Sequence, residues 1–187
     1  MIEREKALQL LREHLKDDKM VKHCIAVEAI MRALARRLGE DEETWGIIGL
    51  LHDIDYDEVG RDLKLHGLRA MEILREHLPE ELLRVIACHN ENTGIEPESE
   101  EGKRMCIALR AADQISGLIV ATALVMPSRK IEEIKLSTLR RKFKSKDFAR
   151  GVRRDRIVAI ESLGLSLDEF MQLALDAMKR VAHELGL

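Results

Sequence analysis

The residues able to do chemistry are histidines and aspartates, and they gather where apolar stretches end. The run "GIIGLLHDIDYDEVG" carries no charge from Gly46 to Leu51, then delivers His52 and Asp53, with Asp55 and Asp57 close behind. Neighbouring residues on a helix point about 100° apart, so His52 and Asp53 can address one point only where a helix stops and its axis faces that point. His23 shares a stripe with Val27, Ile30 and Leu34, whose three- and four-residue steps turn it inward. Asp113 lies in "IALRAADQISGLIVATALV", a segment too apolar to be exposed throughout. A buried imidazole needs partners for both nitrogens, and a buried carboxylate is costly unless paired or metal-bound. A simple His–Asp pair meets that need. With the His52–Asp53 doublet added, two imidazoles and two carboxylates come from three helices. That set suits a divalent Zn, Mn, Fe, Ni or Co ion, with Mg also admissible. It matches poorly a Ca²⁺ loop, which wants clustered oxygens.

Two further histidines sit at the same kind of junction. His66 opens "HGLRAMEIL" and His89 ends "LLRVIACHN". They supply imidazoles for a second ion with Asp53 as the bridge, and two metals about 3.5–4 Å apart clamp both oxygens of a phosphoryl displacement. His14, His77 and His183 have polar helix-end neighbours and read as ordinary surface histidines.

These residues must be positioned by helices. Leu, Ala, Glu, Arg and Met favour them, whereas three prolines and 3 % aromatic residues leave little material for a sheet. The expected fold is all-α, an irregular bundle of roughly eight helices. The spacing predicts helices over about 3–16, from Asp17-Asp18 to Leu38 with Gly39 as the stop, over 41–53, 66–77, and from Pro79 to His89. A long helix follows over 102–126, then shorter ones over 129–142 and 146–162. The last, over 167–185, opens on a capping box from Ser166 to Glu169. No linker divides the 187 residues, so one domain is expected, with a core over about 18–125 and a basic helical extension over 127–187.

Bulk properties exclude several classes. Cys24, Cys88 and Cys106 form no close pair or CxxC motif in sequence, which argues against a disulfide-stapled secreted domain and for a reducing, cytoplasmic setting. "MIEREKALQLL" lacks the pattern of a signal peptide, and the apolar runs read as shorter than a membrane span. The net charge of −3 gives no general attraction to nucleic acid. Locally, however, residues 129–156 hold 12 Lys/Arg against 4 Asp/Glu. That stretch is a workable phosphate footprint, but it lacks interleaved aromatics.

The ordered series His23 in "VKHCIAVEAIMRALARRLG", His52-Asp53 in "GLLHDID" and Asp113 in "RAADQISG" resembles the HD-domain superfamily of metal-dependent phosphohydrolases, of the HDIG-like type. The resemblance covers about residues 18–125. His66 and His89 fall where binuclear members place additional histidines. The resemblance implies an all-α core and hydrolysis of phosphate esters, often of nucleotides. The chain departs from the pattern in reading "HDID" for "HDIG", and "HN" at His89-Asn90 where cyclic-dinucleotide phosphodiesterases carry paired histidines. The GYP signature of those enzymes is also absent, so cyclic-dinucleotide hydrolysis is not expected.

The mechanism this implies uses a metal-activated water, with one or two ions held by His23, His52, Asp53, His66, His89 and Asp113. Beside its ligand role, Asp53 belongs with the catalytic group. Asp55 or Asp57 orients the water or protonates the leaving alkoxide, and Lys64 is a candidate phosphate contact. Arg129, Lys130, Lys135, Arg140, Arg141, Arg150, Arg153 and Arg154 offer further phosphate contacts if they fold over the site, and Tyr56 is the aromatic placed to stack on a base. The expected partner is a small phosphorylated substrate such as a nucleotide, not nucleic acid or membrane, and a homo-oligomer is compatible with the sequence. The competing readings are a non-catalytic metal- or nucleotide-binding sensor and a di-iron oxygenase of the same superfamily.

Overall fold

The computed structural model describes residues 1–60 and 62–187, and the described residues form an all-α irregular helical bundle without strands. The helices are α1 (Arg4–His14), α2 (Asp18–Leu38), α3 (Glu42–Leu51), α4 (Leu68–Leu74), α5 (Glu80–Cys88), α6 (Glu100–Leu124), α7 (Leu136–Lys144), α8 (Arg154–Val158), α9 (Leu167–Arg180) and α10 (Ala182–Leu185), with short 3₁₀ turns at 91–93, 131–133 and 159–163.

Local chemistry sets the helix ends that matter. The Asp17 side chain accepts from Lys19 N at the start of α2, and Gly39, at φ 76°, ends it. Asp41 caps α3 in the same way through Thr44 N. The two helices pack so closely that a Cβ on Gly49 would lie 3.0 Å from Glu28 Cα and Val27 O. Only glycine permits that approach, and it brings the C-terminal end of α3 beside His23 on α2. Helix α6 runs through the middle, burying Met105, Leu109, Ile115, Leu118 and Ile119, and packs against α2, α5, α8 and α9. Trp45 and Phe170 are the bulkiest fully buried side chains of the core.

Several expected boundaries move for physical reasons. The long helix starts two residues early, at Glu100, because Ser99 Oγ accepts from Gly102 N as its cap. The helix expected from His66 begins at Leu68, since Gly67 at φ 92° breaks the helical path and leaves His66 in a turn. The helix expected over 129–142 starts only at Leu136, after a left-handed Arg129 at φ 56°. That expected over 146–162 shrinks to α8 and a 3₁₀ turn. There Arg154 donates to the carbonyls of Phe143, Ser145, Phe148, Ala149 and Val152, holding the segment before α8 as a loop.

Two expectations about composition are corrected. Cys88 and Cys106 form a disulfide between α5 and α6, with Cα atoms 6.4 Å apart, leaving buried Cys24 free. Helix α6 is also long and apolar enough to cross a membrane by length and composition. Yet it carries Asp113, and 56 % of its most apolar window is buried inside the bundle, as befits its central place in the core.

Candidate metal centre

Four imidazoles converge from four helix ends or faces, and each is held from behind by its Nδ1. His52 caps α3, and its Nδ1–H donates to Gly49 O at 2.8 Å. His89 caps α5 and donates in the same way to Ile86 O. His66, in the turn before α4, donates to Asp55 Oδ1 at 2.8 Å. On α2, His23 Nδ1 lies 3.2 Å from Ser116 Oγ, whose own hydrogen goes to Asp113 O at 2.8 Å, so the imidazole is again the donor. With each Nδ1 carrying the hydrogen, every Nε2 presents a lone pair forward.

Those lone pairs face carboxylates and one another. His23 Nε2 is 3.1 Å from Asp113 Oδ1 and 3.5 Å from Asp53 Oδ2, and His52 Nε2 is 3.3 Å from Asp53 Oδ2. The other oxygen, Asp53 Oδ1, is 3.2 Å from His66 Nε2 and 3.3 Å from His89 Nε2. His66 and His89 meet Nε2 to Nε2 at 2.9 Å. Lone pairs at such distances repel unless a proton or a cation lies between them. His52 Nε2 is fully buried and makes no hydrogen bond among the described residues.

Two groups result, His23/His52/Asp113 and Asp53/His66/His89, with the ligating atoms of each within 4.8 Å of one another. Asp53 presents one oxygen to each group and is placed to bridge. Four imidazoles and two carboxylates fit a divalent first-row ion, and both clusters are consistent with a divalent-metal site. Without an ion, protons fill the same need. Burial disfavours a charged His66, but hydrogen bonds to Asp53 and Asp55 outweigh it and push its pKa up to about 10. His52 moves up likewise, burial being outweighed by the Asp53 charge. Burial works against ionised Asp53 and Asp113, yet the imidazoles facing them pull both below the usual carboxylate range.

Supporting residues fix this geometry. Asn90 Nδ2 donates to Leu63 O and His66 O, tying the turn that holds His66 to the end of α5. Arg110 on α6 donates to Cys88 O, anchoring the same helix end. Gln114 Nε2 donates to Asp113 Oδ2 at 2.8 Å, while its Oε1 accepts the Arg153 backbone N–H at 2.8 Å.

Three expected catalytic residues lie outside the lining of the cleft above the two groups. Asp55 is fully buried behind His66, and it also accepts Gly67 N at 2.7 Å and Ala70 N at 3.0 Å. Its two oxygens are taken up by the His66 imidazole and these two backbone N–H groups. Asp57 Oδ2 accepts from Lys16 N and Asp17 N, joining the chain between α1 and α2. Lys64 is exposed and does not line the cleft above the two groups. Tyr56 does line that cleft, its ring edge-on to His66 with centroids 5.6 Å apart.

The basic segment divides sharply. Arg129, Lys130, Lys135, Arg140, Arg141, Arg150 and Arg154 do not line the cleft. Arg140 pairs with Asp168 and Arg150 with Asp147. Arg153 does line it, together with Arg156, which sequence reasoning did not single out. Only the fold of the loop before α8 turns residue 156 toward His89.

Among known proteins, the family model described as HD domain matches residues 20–118 of the chain, a span that includes all six residues of the two groups. No curated protein matches the chain, and no solved structure does.

Proposed function

The chain belongs to the HD-domain superfamily of metal-dependent phosphohydrolases, and from that premise we propose that it hydrolyses the phosphate ester of a nucleotide or another small phosphorylated metabolite. The observation that carries the reading is Asp53, whose two oxygens face separate histidine groups at 3.2–3.5 Å. His23, His52 and Asp113 would hold one ion and His66 and His89 the other, with Asp53 between them. Divalent ions held there would supply Lewis acidity to the phosphoryl oxygens and a water activated near neutral pH.

The chain's own residues keep the centre ready. Each Nδ1–H stays on its backbone or side-chain acceptor, so each Nε2 remains a donor of electrons and not of a proton. Asp55 holds His66, and Asn90 and Arg110 hold the ends of the segments bearing His66 and His89. The completeness of the ligand set counts against a purely sensing domain.

The test is turnover by metal-replete protein against a panel of phosphomonoesters, nucleotides and phosphodiesters. His52→Ala and Asp53→Ala should abolish it. A metal-replete protein that cleaves none of these esters would overturn the proposal.

A further inference from the structure

We infer that Arg153 and Arg156, contributed by the chain beyond the matched family segment, form a guanidinium clamp that binds a phosphoryl group of the substrate, and that Glu91 is the carboxylate this phosphate displaces. The inference rests on the phosphohydrolase reading and adds the recognition of the substrate to it.

The cleft over the metal centre has a volume of about 540 Å³. Its floor carries His23, Asp53, His66, His89 and Asp113, and its wall carries Arg153, Arg156 and Glu91. Among the described residues, no other Lys or Arg lines it. The floor's carboxylates would repel a phosphate dianion, and ions bound there would be partly neutralised by those same carboxylates. Any further positive charge must come from the wall.

Arg156 is built in more firmly than a surface arginine. Its side chain is only 16 % exposed. One terminal nitrogen pairs with Glu91 Oε2 at 3.2 Å, and the other reaches His89 O at 3.5 Å. Its Nε is buried with no hydrogen-bond partner among the described residues. A buried charged donor left unpaired is expensive, and a guanidinium has five N–H groups to place. Arg153 approaches the same oxygen, Glu91 Oε2, at 4.0 Å, while Asp155 fixes its other edge at 2.8 and 3.0 Å. Its backbone is tied through Gln114 to the carboxylate of Asp113. One acidic oxygen therefore lies between two arginines at the mouth of the metal site. A phosphate there offers more acceptor oxygens than the single one Glu91 now supplies, and guanidinium forks suit that geometry.

The experiment uses the full metal-loaded chain and inorganic phosphate as the probe, with calorimetric affinity read beside KM and kcat for a cleaved ester. In Arg156→Gln and Arg153→Gln, phosphate affinity should fall and KM rise by about tenfold, the loss of a charge-assisted contact, while metal content and Tm hold. Arg156→Lys should recover only part of the affinity, because the charge returns without the fork. Glu91→Gln should bind phosphate more tightly, a gain no folding defect produces. Arginine variants that bind phosphate within about twofold of wild type, or a Glu91→Gln that weakens it, would overturn the clamp. Ester cleavage with unchanged variants overturns the clamp and leaves the proposed function standing. Arginine-dependent phosphate binding without cleavage of any ester supports the clamp and overturns the function.

Discussion

His66 and His89 meet Nε2 to Nε2 at 2.9 Å, and each has already committed its Nδ1 hydrogen, to Asp55 and to Ile86 O. Two lone pairs cannot rest at that distance with nothing between them, so the position demands a proton or a metal ion.

The competition between the two gives a pH prediction. In metal-free protein His66 holds its extra proton at neutral pH, because Asp53 and Asp55 outweigh burial and raise its pKa from 6.5 to about 10. A raised folded-state pKa contributes stability that is full below 6.5 and is lost as pH rises through about 10. Metal loading must expel that proton. Calorimetric titration with Mn²⁺ or Co²⁺ in buffers of different ionisation enthalpy should therefore show net proton release near pH 7 and tighter binding as pH rises. Loading with no proton release would contradict the assignment.

Asp55 is expected to act on the metal only through His66. Asp55→Asn should lower metal affinity at the Asp53/His66/His89 group by about 10- to 100-fold, the usual effect of losing a ligand's supporting hydrogen bond. The His23/His52/Asp113 group should keep its ion. Metal stoichiometry after dialysis checks this, with close to one ion per chain retained. Equal loss from both groups, or from neither, would argue against the positioning role.

The Cys88–Cys106 disulfide closes a stretch of 18 residues between α5 and α6, next to His89. A loop of that size is worth about 3 kcal/mol of stability through the unfolded chain. Denaturant unfolding should show that loss on adding reductant to the wild-type protein. Cys106→Ala should start from the lower stability and ignore reductant. An unfolding midpoint indifferent to reductant in the wild type would contradict it.

The helical class was legible because it follows from periodicity, and the six ligand-type residues because a buried His23 and Asp113 need partners and their ordered series with His52-Asp53 resembles a known family. Leu, Ala, Glu and Arg set the helices, and His23, His52, His89 and Asp113 lie where apolar faces meet helix ends or interrupt a buried stripe. Asp55 was not legible. Its inward turn depends on Gly67 at φ 92°, which presents the N–H groups of Gly67 and Ala70 to its carboxylate. Arg154 and Arg156 belong to the same basic run, yet one braces a loop from within while the other lines the cleft. They sit two positions apart on α8, so their side chains point about 200° apart, one into the loop that passes Ala149 at φ 48° and the other into the cleft; the helix expected over 146–162 hid that loop. The disulfide escaped for a related reason, since Cys88 and Cys106 sit on different helices and only packing brings them together.

The most direct test of metal-dependent phosphoester hydrolysis is turnover measured against bound-metal stoichiometry, on protein stripped by chelator and reloaded stepwise. The expected result is no activity in the stripped protein and turnover that rises to a plateau as both groups around Asp53 fill. Activity that survives stripping, or none at any metal occupancy across mono- and diesters, would contradict it.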